Sequence, residues 1–413
     1  MGHNLQLHKR KILNDPVYGF INIPPGISFD IIEHPYFQRL RRIKQLGLTD
    51  LVYPGAVHTR FQHTLGAVHL LESAIGIIKS KGHTITREEE NAVTLAILLH
   101  DIGHGPFSHT LEKMIIEEYG HEELSLFYME ELNKDLGGEL ELAIQIFQNK
   151  YHKKFLHQLV SSQLDVDRMD YLRRDSFYTG VSEGIIGSDR IIKMLNVVDD
   201  ELVVEAKGIY SIEKFLIARW LMYWQVYLHK TVVSAEQLLL NIFNRVKYLI
   251  AKNKSIYLPK SLQYFYINQN KKEIHEILTY FSMIDDTDII TCIKQWALEE
   301  DPVLKILSKR LLNRNLFRVE IQNTPFDKDK IDELTQNTAD LFKLSKEETA
   351  YFVFTDYISK NAYSVFDEKI QILYKDGKLV DVAEASDMLN ISVLSKTVRK
   401  YFLCYPKEIS LIR

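Results

Sequence analysis

A divalent metal ion needs imidazole nitrogens and carboxylate oxygens converging from several directions, and the adjacent pair His100-Asp101 offers one of each. Alone the pair says little, because 15 histidines with an ordinary Asp frequency produce about one such dipeptide by chance. Its surroundings say more. Upstream stands Arg60-Phe61-Gln62-His63-Thr64-Leu65-Gly66, and just after the pair comes Gly103-His104-Gly105-Pro106-Phe107-Ser108-His109. Then follow Gly120-His121-Glu122-Glu123 and Asp165-Val166-Asp167-Arg168-Met169-Asp170-Tyr171. His104, His109 and His121 are candidates for proton delivery, since an ordinary imidazole titrates near pH ~6.5. Asp167, Tyr171 and Asp175 fall at i, i+4 and i+8, which puts two carboxylates and a ring on one helical face. Arg219, Tyr223, Tyr227 and Lys230 form a second stripe, combining phosphate-binding cations with rings. Without a metal motif nearby, such stripes more often mean ordinary packing with solvated tips.

Helices must position these groups. After Arg60, the positions Leu65, Val68, Leu71, Ala74, Ile75 and Ile78 recur at helical spacing until Lys81-Gly82. Thr86 with Glu89 has the capping-box pattern, and Ala92, Leu95, Ala96 and Leu99 continue an apolar face that places His100 and Asp101 in a last helical turn. The pattern predicts another helix from near 157 past 170, and a long one over about 212–250. Residues 260–314 read as mostly helical. Beyond Pro325, alternation over 350–358 and 364–374 predicts strands, Lys375-Asp376-Gly377-Lys378 predicts a hairpin, and Asp381 with Glu384 predicts the cap of a closing helix through about 401. The expected fold is mainly α: a helical core over 1–255, then a smaller α+β lobe over 256–413.

Composition narrows the function classes. With 46% apolar and 26% charged residues the chain is globular, and a net charge of −4 supplies no global field toward nucleic acid or an anionic membrane. Cys292 and Cys404 are too few for a disulfide framework, which suits a reducing cytoplasm. No apolar run approaches the roughly 18 residues of a membrane span, and the basic start leads into no apolar signal core. A soluble, unexported, cytoplasmic protein is expected.

Taken with their flanking words, His63, His100-Asp101 and Asp167 resemble the His…His-Asp…Asp signature of the HD-domain metal-dependent phosphohydrolases, in the deoxynucleoside triphosphate triphosphohydrolase (dNTPase) branch. The likeness is strongest over about 35–236 and continues weakly to Arg314-Asn315-Leu316-Phe317. It implies that these four side chains hold one divalent ion, with Mn, Fe, Ni, Co, Zn and Mg all admissible. Such an ion would neutralise charge on phosphorus and lower the pKa of water toward ~7. The resemblance also implies that His121 works beside Glu112, which stands where a family relative carries Asp. Arg60, Arg168, Arg219 and Lys230 would meet the phosphates. Gln45, Leu46, Tyr171, Asp175 and Tyr227 would surround the deoxyribose, with a ring excluding a ribose hydroxyl. Arg168 replaces a Lys and Tyr223 a His of that relative, leaving base preference open. The basic segment 34–44 resembles a stretch near a regulatory nucleotide site; a solvated amphipathic helix is the plainer reading. Oligomers are common in the family, so a homo-oligomer is expected by analogy. The leading expectation is hydrolysis of a dNTP to deoxynucleoside and triphosphate. The alternatives are an HD phosphohydrolase for nucleoside monophosphates, cyclic nucleotides or another phosphoester, and a nucleotide-sensing or nucleic-acid-binding protein without turnover.

Overall fold

The computed structural model describes residues 11–267, 273–360, 363, 369–387 and 398–411. Its centre is the Arg60–Ser80 helix, started by a capping box in which the Thr59 N–H donates to Gln62 Oε1 at 2.9 Å. All six apolar positions named for this helix are buried. It packs between the Arg87–Leu99 helix and the Val166–Thr179 helix. The expected Thr86/Glu89 box is formed, with Glu89 N–H to Thr86 Oγ1 at 3.1 Å and Thr86 N–H to Glu89 Oε2 at 2.8 Å. Gly66 permits the close approach of the Val166–Thr179 helix, since a Cβ there would overlap Asp170 Oδ1 and Arg174 Nη2. The protein is mainly helical, with a smaller sheet-containing C-terminal region.

Three expected helices differ. The one predicted from near 157 past 170 is two, Lys154–Val160 and Val166–Thr179. Between them Asp165 accepts the N–H groups of Ser162 (2.8 Å) and Arg168 (2.7 Å), so a side chain takes over bonds that a continuous helix would make. The helix predicted over 212–250 divides into Ile209–Met222, a π-helical turn at Tyr223–Tyr227, and Lys230–Ala251. That wide turn is held from outside: Tyr53 donates to the Gln225 carbonyl at 2.5 Å and Tyr227 to Asp175 at 2.7 Å. Among the described residues the closing helix is helical only over Val382–Ala385. Residues 388–397 lie outside the described residues, and Tyr401 belongs to the strand Val398–Tyr405, where Val398, Tyr401, Phe402 and Tyr405 favour a pleated surface.

The strands that do form stitch the two halves together. Val398–Tyr405 is the middle strand of an antiparallel sheet with Arg318–Gln322 and Phe354–Lys360. The expected hairpin joins Gln371–Leu373 to Leu379–Asp381, with Gly377 at φ 84°; residues 364–368 of the expected strand before it lie outside the described residues. Periodicity missed two other hairpins. One pairs Lys11–Asp15 with Gly19–Ile23; the other pairs Leu195–Val198 with Glu201–Glu205 across Asp199 and Asp200, both left-handed. Glu201–Glu205 also pairs in parallel with Gln371–Leu373, so one sheet takes strands from both sides of residue 255. A continuous buried core runs from Ile21 to Cys404. Among the described residues no helix is long and apolar enough to cross a membrane.

Gly66→Ala inserts a methyl where two helices already touch, so it is expected to lower stability by about 1–3 kcal/mol. Thermal denaturation checks this, and an unchanged midpoint would show that the helices do not approach as described.

Candidate functional site

Three helix ends bring the four expected ligands together. His63 lies in the first turn of Arg60–Ser80, His100 caps the end of Arg87–Leu99 with Asp101 beside it, and Asp167 lies in the first turn of Val166–Thr179. His63 Nε2 is 3.0 Å from Asp167 Oδ1 and 3.8 Å from Asp101 Oδ2. His100 Nε2 is 3.4 Å from Asp101 Oδ1 and 3.5 Å from Asp167 Oδ1. Both rings are aimed from behind: His63 Nδ1 bonds Asp170 Oδ2 at 2.7 Å, and His100 Nδ1 bonds the Ile97 carbonyl at 2.6 Å. Each Nε2 is buried without an aligned hydrogen-bond partner.

The electrostatics fit a cation. Burial opposes charging His63, yet Asp167 and Asp170 outweigh it and push the imidazole up to about 10. His100 is also raised, burial being outweighed by Asp101 and Asp167. The cluster therefore stabilises positive charge, and two orphaned imidazole nitrogens beside two carboxylates form a donor set suited to a divalent ion. Burial likewise disfavours ionised Asp101, but Arg60, His100 and His104 hold it well below the usual carboxylate range. Arg60 Nη1 meets Asp101 Oδ2 at 2.5 Å, while its Nε and Nη2 donate to Ser108 Oγ at 2.9 and 2.7 Å.

A second cluster adjoins the first. His104 Nε2 is 3.3 Å from Asp101 Oδ1, and its ring stacks on His121 with centroids 4.0 Å apart. His109 stands edge-on to both, at 5.4 and 5.6 Å. Glu112 Oε1 accepts the His121 backbone N–H at 2.8 Å and Nδ1 at 2.7 Å, so the longer side chain still forms the dyad. Ser125 ties this cluster to the first. Its Oγ accepts the Gly103 N–H at 2.9 Å and donates to the His100 carbonyl at 2.7 Å. The three imidazoles are not equivalent. Burial and the nearby Arg60 hold His104 well below the ordinary value, so at neutral pH it has no proton to give from both nitrogens. The facing His109, opposed by burial and aided by His121, keeps Glu112 below the usual carboxylate range and ionised.

A third group lines the same helical face. Tyr171, Tyr223 and Tyr227 pack edge to edge, with Tyr227 6.3 Å from Tyr171 and 5.6 Å from Tyr223. Asp175 is buried, accepting from Tyr227 (2.7 Å) and facing His58 Nε2 (2.7 Å). Arg168 pairs with Asp165 but leaves Nε unpaired, and buried Arg219 Nε and Nη1 have no protein partner. Gln45 donates its N–H to the His58 carbonyl at 3.0 Å, and Leu46 is half-buried against the core. Lys230 instead lines a separate cavity of about 540 Å³ with Thr231, Phe317, Arg318, Val319, Glu320 and Lys407. The basic segment is no solvated amphipathic helix. It folds as the short turns Pro35–Gln38 and Arg39–Arg42, with Arg39 buried, Arg41 over the Phe61 ring, and Arg42 and Lys44 paired with Asp285 and Asp50.

Asp170 and His58 are among the residues that sequence patterning did not single out. Asp170 stood in a quoted word, three positions after Asp167 and so on the same side of the helix, but only the fold shows it gripping His63 and Arg174. His58 belongs to no periodic segment; its nearness to Arg60 was the one available signal.

A helical core in which a His-Asp pair at one helix end meets a His and an Asp from two other helices defines a metal-dependent phosphohydrolase of the HD type, and comparison agrees. The HD domain model matches residues 60–175, and the HD associated region model matches 186–256. The chain belongs to the HD-domain phosphohydrolases of the dNTPase family. It is similar to a crystal structure of a phosphohydrolase from Bacteroides thetaiotaomicron, with 56% identity, a TM-score of 0.92, and coverage of 96% of this chain and 100% of that one. The uncharacterized protein YwfO of Bacillus subtilis is 31% identical over 98% of this chain and 94% of its own length. The deoxynucleoside triphosphate triphosphohydrolase SAMHD1 homolog of Dictyostelium discoideum is 30% identical over 75% of this chain and 59% of its own.

Asp167→Ala removes the carboxylate that faces both Nε2 atoms. Elemental analysis and turnover are expected to show loss of both metal and activity, and near-wild-type activity would remove this residue from the site. Burial pushes Glu236 up to about 7, opposed by the nearby Thr110. Its ionisation therefore opposes folding, with no penalty below about pH 4.5 and a full one above about pH 7. Glu236→Gln should raise the denaturation midpoint at about pH 8 but not at about pH 4; equal shifts contradict this.

Proposed function

We propose that the protein hydrolyses deoxynucleoside triphosphates to deoxynucleoside and triphosphate. The observation that carries this reading is the buried, unpaired guanidinium nitrogens of Arg168 and Arg219, set beside Tyr171, Tyr227 and Asp175 on the face that continues from Asp167. Buried N–H donors without acceptors are costly unless a ligand supplies them, and phosphate oxygens are the acceptors that guanidinium geometry fits best. The rings beside them suit a sugar, and a closely packed tyrosine rejects an added 2′-hydroxyl by size.

His63, His100, Asp101 and Asp167 would hold the divalent ion. When bound, it supplies Lewis acidity toward a phosphoryl oxygen and makes water a competent nucleophile at neutral pH. The chain's own groups do the rest. Arg60 holds Asp101 in place while Arg168 and Arg219 orient the phosphates. A water oxygen bonds to the α-phosphorus, the bond from that phosphorus to the 5′-oxygen breaks, and the leaving oxygen takes a proton. His121 is the group best placed to deliver it, because Glu112 fixes its Nδ1 and supports the imidazolium, whereas neighbouring His104 is held neutral. A regulatory nucleotide and a homo-oligomer remain part of this reading by family analogy. Nucleic-acid binding finds less support, since the basic segment uses its cations internally.

Chromatography of products from metal-loaded protein with each dNTP, each ribonucleotide, nucleoside monophosphates and cyclic nucleotides tests this. Triphosphate plus deoxynucleoside is expected; pyrophosphate plus monophosphate refutes it, and release only from the smaller phosphoesters moves the substrate elsewhere. His121→Ala should lower kcat by about 10²–10⁴-fold with metal retained. Unchanged kcat would exclude His121 as the proton donor.

A further inference from the structure

Asp286 lies beyond both segments that the family models match, yet it reaches into the loop between His104 and His109. It is 7% exposed. Its Oδ1 accepts the Phe107 N–H at 3.1 Å and its Oδ2 accepts the Lys44 N–H at 2.9 Å, so one carboxylate joins two backbone segments far apart in sequence. Both lead to Arg60. Lys44 is bridged to Thr59, and the Arg60 N–H donates to the Ile43 carbonyl at 3.0 Å. Phe107 precedes Ser108, whose hydroxyl takes two bonds from the Arg60 guanidinium. Arg60 in turn grips Asp101.

The Phe107 turn needs such a hold. Phe107 and Ser108 both adopt positive φ, 50° and 34°, in the left-handed region that costs a non-glycine residue free energy. Within the turn the Ser108 N–H donates to the Gly105 carbonyl at 3.2 Å, and from outside it the Asp286 carboxylate adds the bond to the Phe107 N–H. The neighbouring residues brace the same corner. The Ile284 carbonyl accepts from buried Arg39 at 3.4 Å, Arg39 also donates to the Ile102 and His104 carbonyls at 2.8 and 2.9 Å, and Asp285 pairs with Arg42. Burial pushes the Asp286 carboxyl up to about 6, against its two backbone bonds, so at neutral pH a charge is kept inside at a cost.

We propose that Asp286 is a positioning residue for the phosphohydrolase centre, fixing the Phe107–Ser108 turn and the Lys44 bridge so that Ser108 and Thr59 hold Arg60 against Asp101. This rests on the reading that the metal centre turns over a phosphoester. Asp286 touches neither the ligand set nor the substrate face. It acts through Ser108, and that dependence separates it from a merely structural acid.

The test is a double-mutant cycle in the full-length, metal-loaded enzyme, with kcat, KM, metal content and denaturation midpoint measured for wild type, Asp286→Asn, Ser108→Ala and the double variant. Asp286→Asn keeps the shape but replaces one acceptor oxygen by an N–H₂ facing a backbone N–H. Each single variant is expected to lose about 10–100-fold in kcat, as a small misplacement of a catalytic group does, with one metal per chain retained. The double variant should be no worse than the poorer single, because both break one path. Losses that multiply, or wild-type kcat in Asp286→Asn, overturn the proposal. Asp286→Ser, smaller and still an acceptor, gives the same readout if the amide variant does not fold. A wild-type enzyme that binds metal but releases nothing from any phosphoester removes the underlying reading, whereas an active wild type with an indifferent Asp286→Asn removes this inference alone.

Discussion

The structure depends on concentrating two carboxylates and two imidazoles in a largely buried cluster, from the fully buried His63 to Asp167, whose side chain is 24% exposed. Asp101 and Asp167 repel each other, and in a medium of low dielectric that repulsion is not screened. Such a cluster persists only if positive charge is held between the carboxylates. Arg60 supplies part of it from one side, and the inward-facing His63 and His100 are drawn toward carrying more. A divalent cation would satisfy all four side chains at once, so the feature that would destabilise an ordinary core suits this one to hold a metal ion.

The surrounding fold is arranged to keep that cluster from relaxing. Asp170 holds His63 from behind and is itself held by Arg174, whose remaining nitrogen reaches Asp15 in the first hairpin. Ser125 ties the His100 carbonyl to the helix that begins with His121. Gly103 has no side chain because the His121 carbonyl and Ser125 occupy the space that a Cβ would need. The expected ligands and the His121–Glu112 pair are thus built on one corner, as the proposed chemistry between a nucleophile and a leaving group requires.

How much of this the sequence disclosed follows from the range of the interactions. The helices carrying His63 and His100 were legible because their caps and apolar faces are local, and the convergence of the four expected ligands because their flanking words are contiguous. The break at Asp165 and the π-helical turn at Tyr223–Tyr227 were not, since partners distant in sequence hold the turn and an Asx-type side chain ends the helix where apolar periodicity runs on. Val398–Tyr405 was misread because a pattern near a capping signal was extended into residues whose side chains suit a sheet. Asp286 could not be found at all: an acid accepting two distant backbone N–H groups leaves no pattern in a chain.

The most direct measurement is metal-edge X-ray absorption on the natively purified protein. The account predicts one divalent ion per chain, with imidazole nitrogen and carboxylate oxygen donors at about 2.0–2.2 Å and clear scattering from two imidazole rings. Protein that takes up no divalent ion, or an ion whose spectrum lacks imidazole scattering, would contradict it.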